Sequence, residues 1–234
     1  MADLASGLIY YVVFLFSTTL HEAAHAWAAM LGGDLTAYHG GQVSLDPRPH
    51  IKREPVGMVV LPLISVAVSG WPMGFASAPF DPVWALRHPR RAAWMALAGP
   101  GANLLLMILA AIAIRVGGLT GVFDSPESVR FSHLVDAEPG IWSTIGFVVS
   151  ACFSLNLVLM MLNLIPLPPL DGSAAIPLIL TEKLAARYQT FMLGAGRAFG
   201  LIGLFAAWKV FDLIFDPLFL FAVNILYFGA SHYS

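Results

Sequence analysis

The sequence is poor in charge. Of its 234 residues only 11% are Asp, Glu, Lys or Arg, where an ordinary soluble domain carries about 25%. With 58% hydrophobic residues and a mean hydropathy of +0.77, the chain lacks the polar groups to cover its own surface in water. The excess apolar surface requires lipid, so the chain reads as a membrane protein. A formal net charge of −2 implies neither nucleic acid nor a strongly acidic partner. Cysteine is nearly absent too. The single Cys152 excludes an internal disulfide and a multi-cysteine metal site, and its apolar setting suits a small buried hydrophobe. No Lys or Arg precedes the first apolar stretch, which argues against a secretory signal peptide. No period indicates a repeat array.

What is present is a series of long apolar runs. Residues 4–31 can cross a hydrocarbon core of about 30 Å as one helix, ended by Gly32 and Gly33. A polar stretch, 34–55, carries Arg48, Lys52 and Arg53. Residues 56–70 are apolar but short and contain Pro62, which predicts a re-entrant or interfacial segment, helix or strand. Further spanning helices are expected at 92–114 and 141–165, joined by a polar linker near 117–140. Two more apolar stretches, 188–211 and 213–228, are separated near Asp212, Asp216 and Pro217. The expectation is an all-α polytopic membrane protein. It has about five to six transmembrane helices and a short re-entrant or β-hairpin segment near residues 35–80. It reads as one domain over 1–234, with a core of 1–175 and additional C-terminal helices over 188–230. Lys and Arg prefer short cytoplasmic loops. Five crossings with the N-terminus outside put Arg48, Lys52, Arg53, Arg87, Arg90, Arg91, Lys183 and Arg187 on the cytoplasmic side, provided 56–70 does not cross.

The informative residues are His21, Glu22 and His25, in the string TTLHEAAHAWA. Side chains four apart share a helical face, so both imidazoles can reach one metal ion, and zinc accepts imidazole nitrogen. Glu22 stands where it can take a proton from a water on that metal. Three ionisable groups in an apolar span are costly unless paired or coordinated. A catalytic zinc normally has three protein ligands. Asp34, Asp46, Asp81, Asp124 and Asp136 lie in loops, and Asp212 and Asp216 suit a solvated turn. Asp171 differs. It stands in LNLIPLPPLDGSAAIPL, where Pro166, Pro168 and Pro169 forbid regular helix, and a cation best explains an acid there.

HEAAH on one spanning helix, ALAGPGANLLL at 96–106 on a second and NLIPLPPLDG after a third together resemble the site-2 protease family of intramembrane metalloproteases. The resemblance covers most of residues 17–172. It implies His21, His25 and Asp171 as ligands of one Zn2+ per chain, Glu22 as general base, and a transmembrane protein or peptide substrate in a lipid bilayer. Asn163 matches the Asn of the family's Asn-to-Asp-Gly motif. It serves either as a donor to the substrate carbonyl or oxyanion or as an interhelical hydrogen bond. Asn103 suits a helix-gluing role, with Gly99 and Gly101 allowing close approach. The sequence shows no PDZ-like or nucleotide-sensing domain and no span before HEAAH, which resembles the family's short forms. A prokaryotic cell membrane, with the site nearer the cytoplasm, is the expected location. His39, His50, His88, His133 and His232 lack ligand spacing and read as loop or interface residues. Two other functions stay open, a non-proteolytic zinc-binding scaffold and a metal transporter. The first predicts no cleavage of any membrane substrate, the second metal flux and several weak sites.

Overall fold

The computed structural model describes residues 4–194, 199–229 and 233; His232 lies outside them. In chain order it forms α1 (Leu4–Gly32), α2 (Thr36–His39), α3 (Pro47–Arg53) and a π-helical turn, Val56–Val60, that runs into α4 (Leu61–Ser69). Then come α5 (Pro82–Arg87), α6 (Pro89–Leu119), α7 (Ile141–Leu164), α8 (Asp171–Ala175), α9 (Glu182–Leu193) and α10 (Gly200–Leu226). No strand occurs among the described residues. Helices α1, α6 and α7 are long and apolar enough to cross a membrane, and they pack mainly on one another. Their outward residues are large and apolar, among them Val12, Leu31, Leu105 and Ile112. Exposed side chains of that kind are at home in lipid. The chain is an integral membrane protein.

Residues 54–81 form a helical hairpin with an extended return, where a re-entrant segment or β-hairpin was expected. Gly70 turns it with a φ of 83°, a left-handed conformation that glycine adopts without steric cost. The return runs back along the descending helix: Met73 N donates to Ser65 Oγ at 2.7 Å, and Phe75 N to Gly57 O at 3.1 Å. Both ends are fastened at one level. Ser77 Oγ donates to Glu54 Oε1 at 2.6 Å, and Arg53 Nε to Ser77 O at 3.1 Å. Buried Asp34, just beyond α1, accepts from Asp81 N at 2.8 Å. The two ends of the segment therefore lie together. In the preceding loop Asp46 caps α3 by accepting from Arg48 N at 3.0 Å, a bond that holds its carboxyl below the usual range.

Two expectations need correction. The two C-terminal apolar stretches are not separate helices divided at Asp212. Instead, α9 is a short amphipathic helix, and α10 runs unbroken through Asp212, Asp216 and Pro217. Packing overrides the breaker signal, because Ala207, Phe211, Phe219 and Val223 are all buried in the cluster built on α6 and α7. The linker 117–140 is not purely polar, since Phe123, Leu134 and Val135 plug that same cluster. His50, expected in a loop or an interface, is 1% exposed on α3.

Candidate metal centre

α1 brings His21, Glu22 and His25 into the bundle as a buried row on one side of the helix. Asp171 enters from the first turn of α8, immediately after the proline-rich break. Three ligand atoms converge. His21 Nε2 and His25 Nε2 are 2.9 Å apart, and Asp171 Oδ2 lies 3.1 Å from the first and 3.3 Å from the second. A tetrahedral ion with bonds of about 2.0–2.1 Å holds its ligand atoms roughly 3.3 Å apart. The set can therefore hold one zinc-sized ion.

The tautomers follow from the hydrogen-bond chain. His25 Nδ1 lies 2.7 Å from Met95 O, a carbonyl, so Nδ1 carries the proton. For His21 the argument is longer. Asn156 Nδ2 donates to the carbonyl of Cys152 at 2.8 Å and to Ser17 Oγ at 2.9 Å, which orients its amide. Its Oδ1 then accepts from Asn103 Nδ2 at 2.9 Å, and Asn103 Oδ1 accepts from His21 Nδ1 at 2.5 Å. Both rings thus carry their proton at Nδ1 and turn a lone pair at Nε2 toward the same point. Two such lone pairs 2.9 Å apart repel unless a cation lies among them, and the carboxylate adds the matching charge. The donor set fits zinc.

Gly99 sits directly against this pair. A Cβ there would overlap both imidazole Nε2 atoms, so close approach of α6 to the ligands requires glycine. Glu22 is 4% exposed, and its Oε2 has no hydrogen-bond partner among the described residues. Such an orphaned carboxylate oxygen beside the ligands is placed to handle a proton. Ligands and Glu22 line a cavity of about 630 Å³ together with Asn163 and Gln189. Asn163 Nδ2 donates to Leu159 O of its own helix at 3.0 Å, which leaves its second N–H uncommitted among the described residues.

The extended return of the hairpin forms a further part of the cavity wall. Met73, Phe75 and Ser77 spend backbone groups inward on Ser65, Gly57 and Arg53. The alternating backbone groups of Gly74, Ala76 and Ala78 have no hydrogen bond among the described residues, and all three line the cavity. The structure places His21, Glu22, His25, Asp171 and Asn163, the site residues expected from the sequence, around one cavity. Sequence reasoning gave Asn103 a gluing role, which it has through Asn156, but missed that its other end holds His21. It also missed Asn156, Ser17 and Gln189. A buried Asn seven residues before Asn163 on the same helix was the available signal for Asn156.

The sequence profile of peptidase family M50 matches residues 9–203. The chain belongs to that family. It is the site-2 protease family whose motifs the sequence resembles, and membership makes the protein a zinc metalloprotease. "Putative zinc metalloprotease YwhC" of Bacillus subtilis is 31% identical over 226 residues, covering 88% of this chain and 92% of its own length. "Putative zinc metalloprotease Rip2" of Mycobacterium tuberculosis is 32% identical over 173 residues, 73% of this chain and 58% of Rip2. Rip2 of Mycolicibacterium smegmatis is 32% identical over 185 residues, 75% and 61%. No solved structure matches the chain.

Proposed function

We propose that this metalloprotease hydrolyses peptide bonds of membrane-spanning substrates within the bilayer. His21, His25 and Asp171 hold its one zinc, and Glu22 is the general base. The observation that carries this reading is the convergence of the three ligand atoms beside the unpartnered Glu22 Oε2, in a cavity that the apolar helices α1, α6 and α7 help to line. Zinc bound there supplies Lewis acidity, which polarises a scissile carbonyl and brings a water pKa toward about 7. Glu22 accepts the proton of the attacking water and delivers it to the leaving amine. Asn163 directs its uncommitted N–H at the developing oxyanion.

A substrate helix must unwind before its carbonyls can be attacked. The free backbone edge of Gly74, Ala76 and Ala78 offers an unwound segment a strand to pair with, beside the ligands. Small side chains along that edge leave room for the partner. Four crossings, α1, α6, α7 and α10, fit the packing better than five, with residues 54–81 re-entrant. α10 runs alongside the bundle from Gly203, against Pro168 O, to Leu226, whose carbonyl accepts from Arg115 at the far end of α6. The basic clusters gather at the end of α1 that carries Gly32. Arg91 donates to Gly32 O at 3.2 Å, and Arg90 to Leu180 O at 3.3 Å. That supports a cytoplasmic site and an outside N-terminus. The bacterial relatives favour a bacterial cell membrane. The chain functions as a single domain, in which α9 and α10 add Gln189 and Leu204 to the wall around the 1–175 core.

The test is Glu22→Gln, assayed on a co-expressed single-span membrane substrate. Cleavage should fall roughly 10²–10⁴-fold while zinc content and helicity match wild type. Undiminished cleavage by that variant would sink the mechanism.

A further inference from the structure

α10 poses a problem that the protease reading does not solve. Its first end is at the catalytic level, where Leu204 lines the metal cavity and Gly203 packs on Pro168. Its last turn is at the opposite end, where Tyr227 bonds the carbonyl of Leu134 and Leu226 accepts from Arg115. With α10 read as a crossing, Lys209, Asp212 and Asp216 lie near mid-depth, and all three are exposed. They share a face with exposed Ile202 and Phe205, opposite buried Ala207 and Phe211. The spacing 202, 205, 209, 212, 216 keeps them in one stripe for about four turns. No ion pair among the described residues engages any of the three, and Lys209 has only the ring of Phe205 beneath it, 6.0 Å from the centroid. Ionised side chains at mid-bilayer do not face lipid; they face a partner that pairs them.

We propose that this stripe is an intramembrane interface on which a second copy of the chain docks, α10 against α10. The occupant is argued from charge complementarity. The stripe carries one base and two acids within two turns, so a parallel two-fold arrangement sets each Lys209 against the acids of the other copy. Lys209 and the partner's Asp212 differ in height by one turn or less, a step the lysine stem spans. An isologous contact of this kind pairs each Lys209 with an acid of the other copy, two ion pairs in all with one acid per copy left beside them, whereas a purely apolar partner helix would leave all three unpaired. Exposed Ile202, Phe205 and Leu213 flank the charges and supply the apolar packing around them. The inference rests on the reading of α10 as a crossing, not on catalysis.

The experiment is native mass spectrometry of the full chain released from lipid nanodiscs, alone and in mixtures. Wild type should run at twice 25.2 kDa. Lys209→Asp, with three acids, and the Asp212→Lys/Asp216→Lys double variant, with three bases, should each shift to monomer, and co-expression of the two should recover a heterodimer. Lys209→Leu/Asp212→Leu/Asp216→Leu removes the charges without loading the membrane and should be a zinc-loaded monomer. Monomeric wild type, a dimeric triple-Leu variant, or no heterodimer from the opposed charge variants overturns the interface. Leu213→Cys in a Cys152→Ser background separates failure of the crossing itself: α10 in the bilayer keeps it from a membrane-impermeant maleimide in proteoliposomes, and rapid labelling overturns the crossing and the proposal with it.

Discussion

The metal cavity has two unlike walls. One is built from α1, α6 and α7, whose polar side chains are buried and knitted together, from Ser17 through Asn156 and Asn103 to His21. The other is the extended return over Gly74–Ala78, with Gln189 of α9 and Leu204 of α10, where the backbone groups of Gly74, Ala76 and Ala78 are free among the described residues. The first wall holds atoms to fixed positions, which metal ligation and proton transfer demand. The second leaves hydrogen bonds unmade, as a surface awaiting another chain would. Chemistry and substrate handling are thus divided between a rigid side and an open one.

The division predicts a gradient of effects. Glu22→Gln, on the rigid side, should cost cleavage roughly 10²–10⁴-fold, the usual weight of a general base, with zinc retained. Asn163→Ala should lower kcat by about 10²–10³ if its free N–H meets the oxyanion, with zinc and KM little changed. An effect confined to stability would assign Asn163 to helix packing instead. Asn103→Ala leaves chemistry in place but frees His21 to rotate, so zinc affinity, measured by competition with a chelator, should fall about 10–100-fold. Equal affinity would show that the Asn103–Asn156 chain only joins helices. On the open side, Ala76→Pro removes one free backbone N–H from the edge. Cleavage should drop about five- to tenfold, the worth of one hydrogen bond, at full zinc content. Loss of zinc in that variant would erase the distinction between the walls.

The rigid wall was largely legible in the sequence and the open wall was not. HEAAH can share one face only on a helix, and Asp171 in a proline-broken apolar run has few explanations other than a cation, so residue type and spacing marked the candidates and the resemblance to the site-2 protease family implied them as one ligand set. Asn103 was visible as a buried polar residue. Which way its amide points depends on Asn156, on another helix, and no spacing rule connects them. Gln189 was hidden for a similar reason: it enters the cavity only because the short helix α9 folds back over the site, a tertiary event. The continuity of α10 was misread because Asp212, Asp216 and Pro217 carry a local turn signal, which burial of Ala207, Phe211 and Phe219 outweighs. The alternation of engaged and free backbone groups along Met73–Ala78 could be read only from the fold.

Zinc per chain in detergent-purified protein, compared between wild type and Asp171→Ala, tests the centre most directly because it needs no substrate. The account predicts about one zinc in wild type and a marked loss in Asp171→Ala, since the variant keeps only the two histidines of α1. Full zinc in Asp171→Ala, or none in carefully prepared wild type, would contradict the three-ligand centre on which the rest depends.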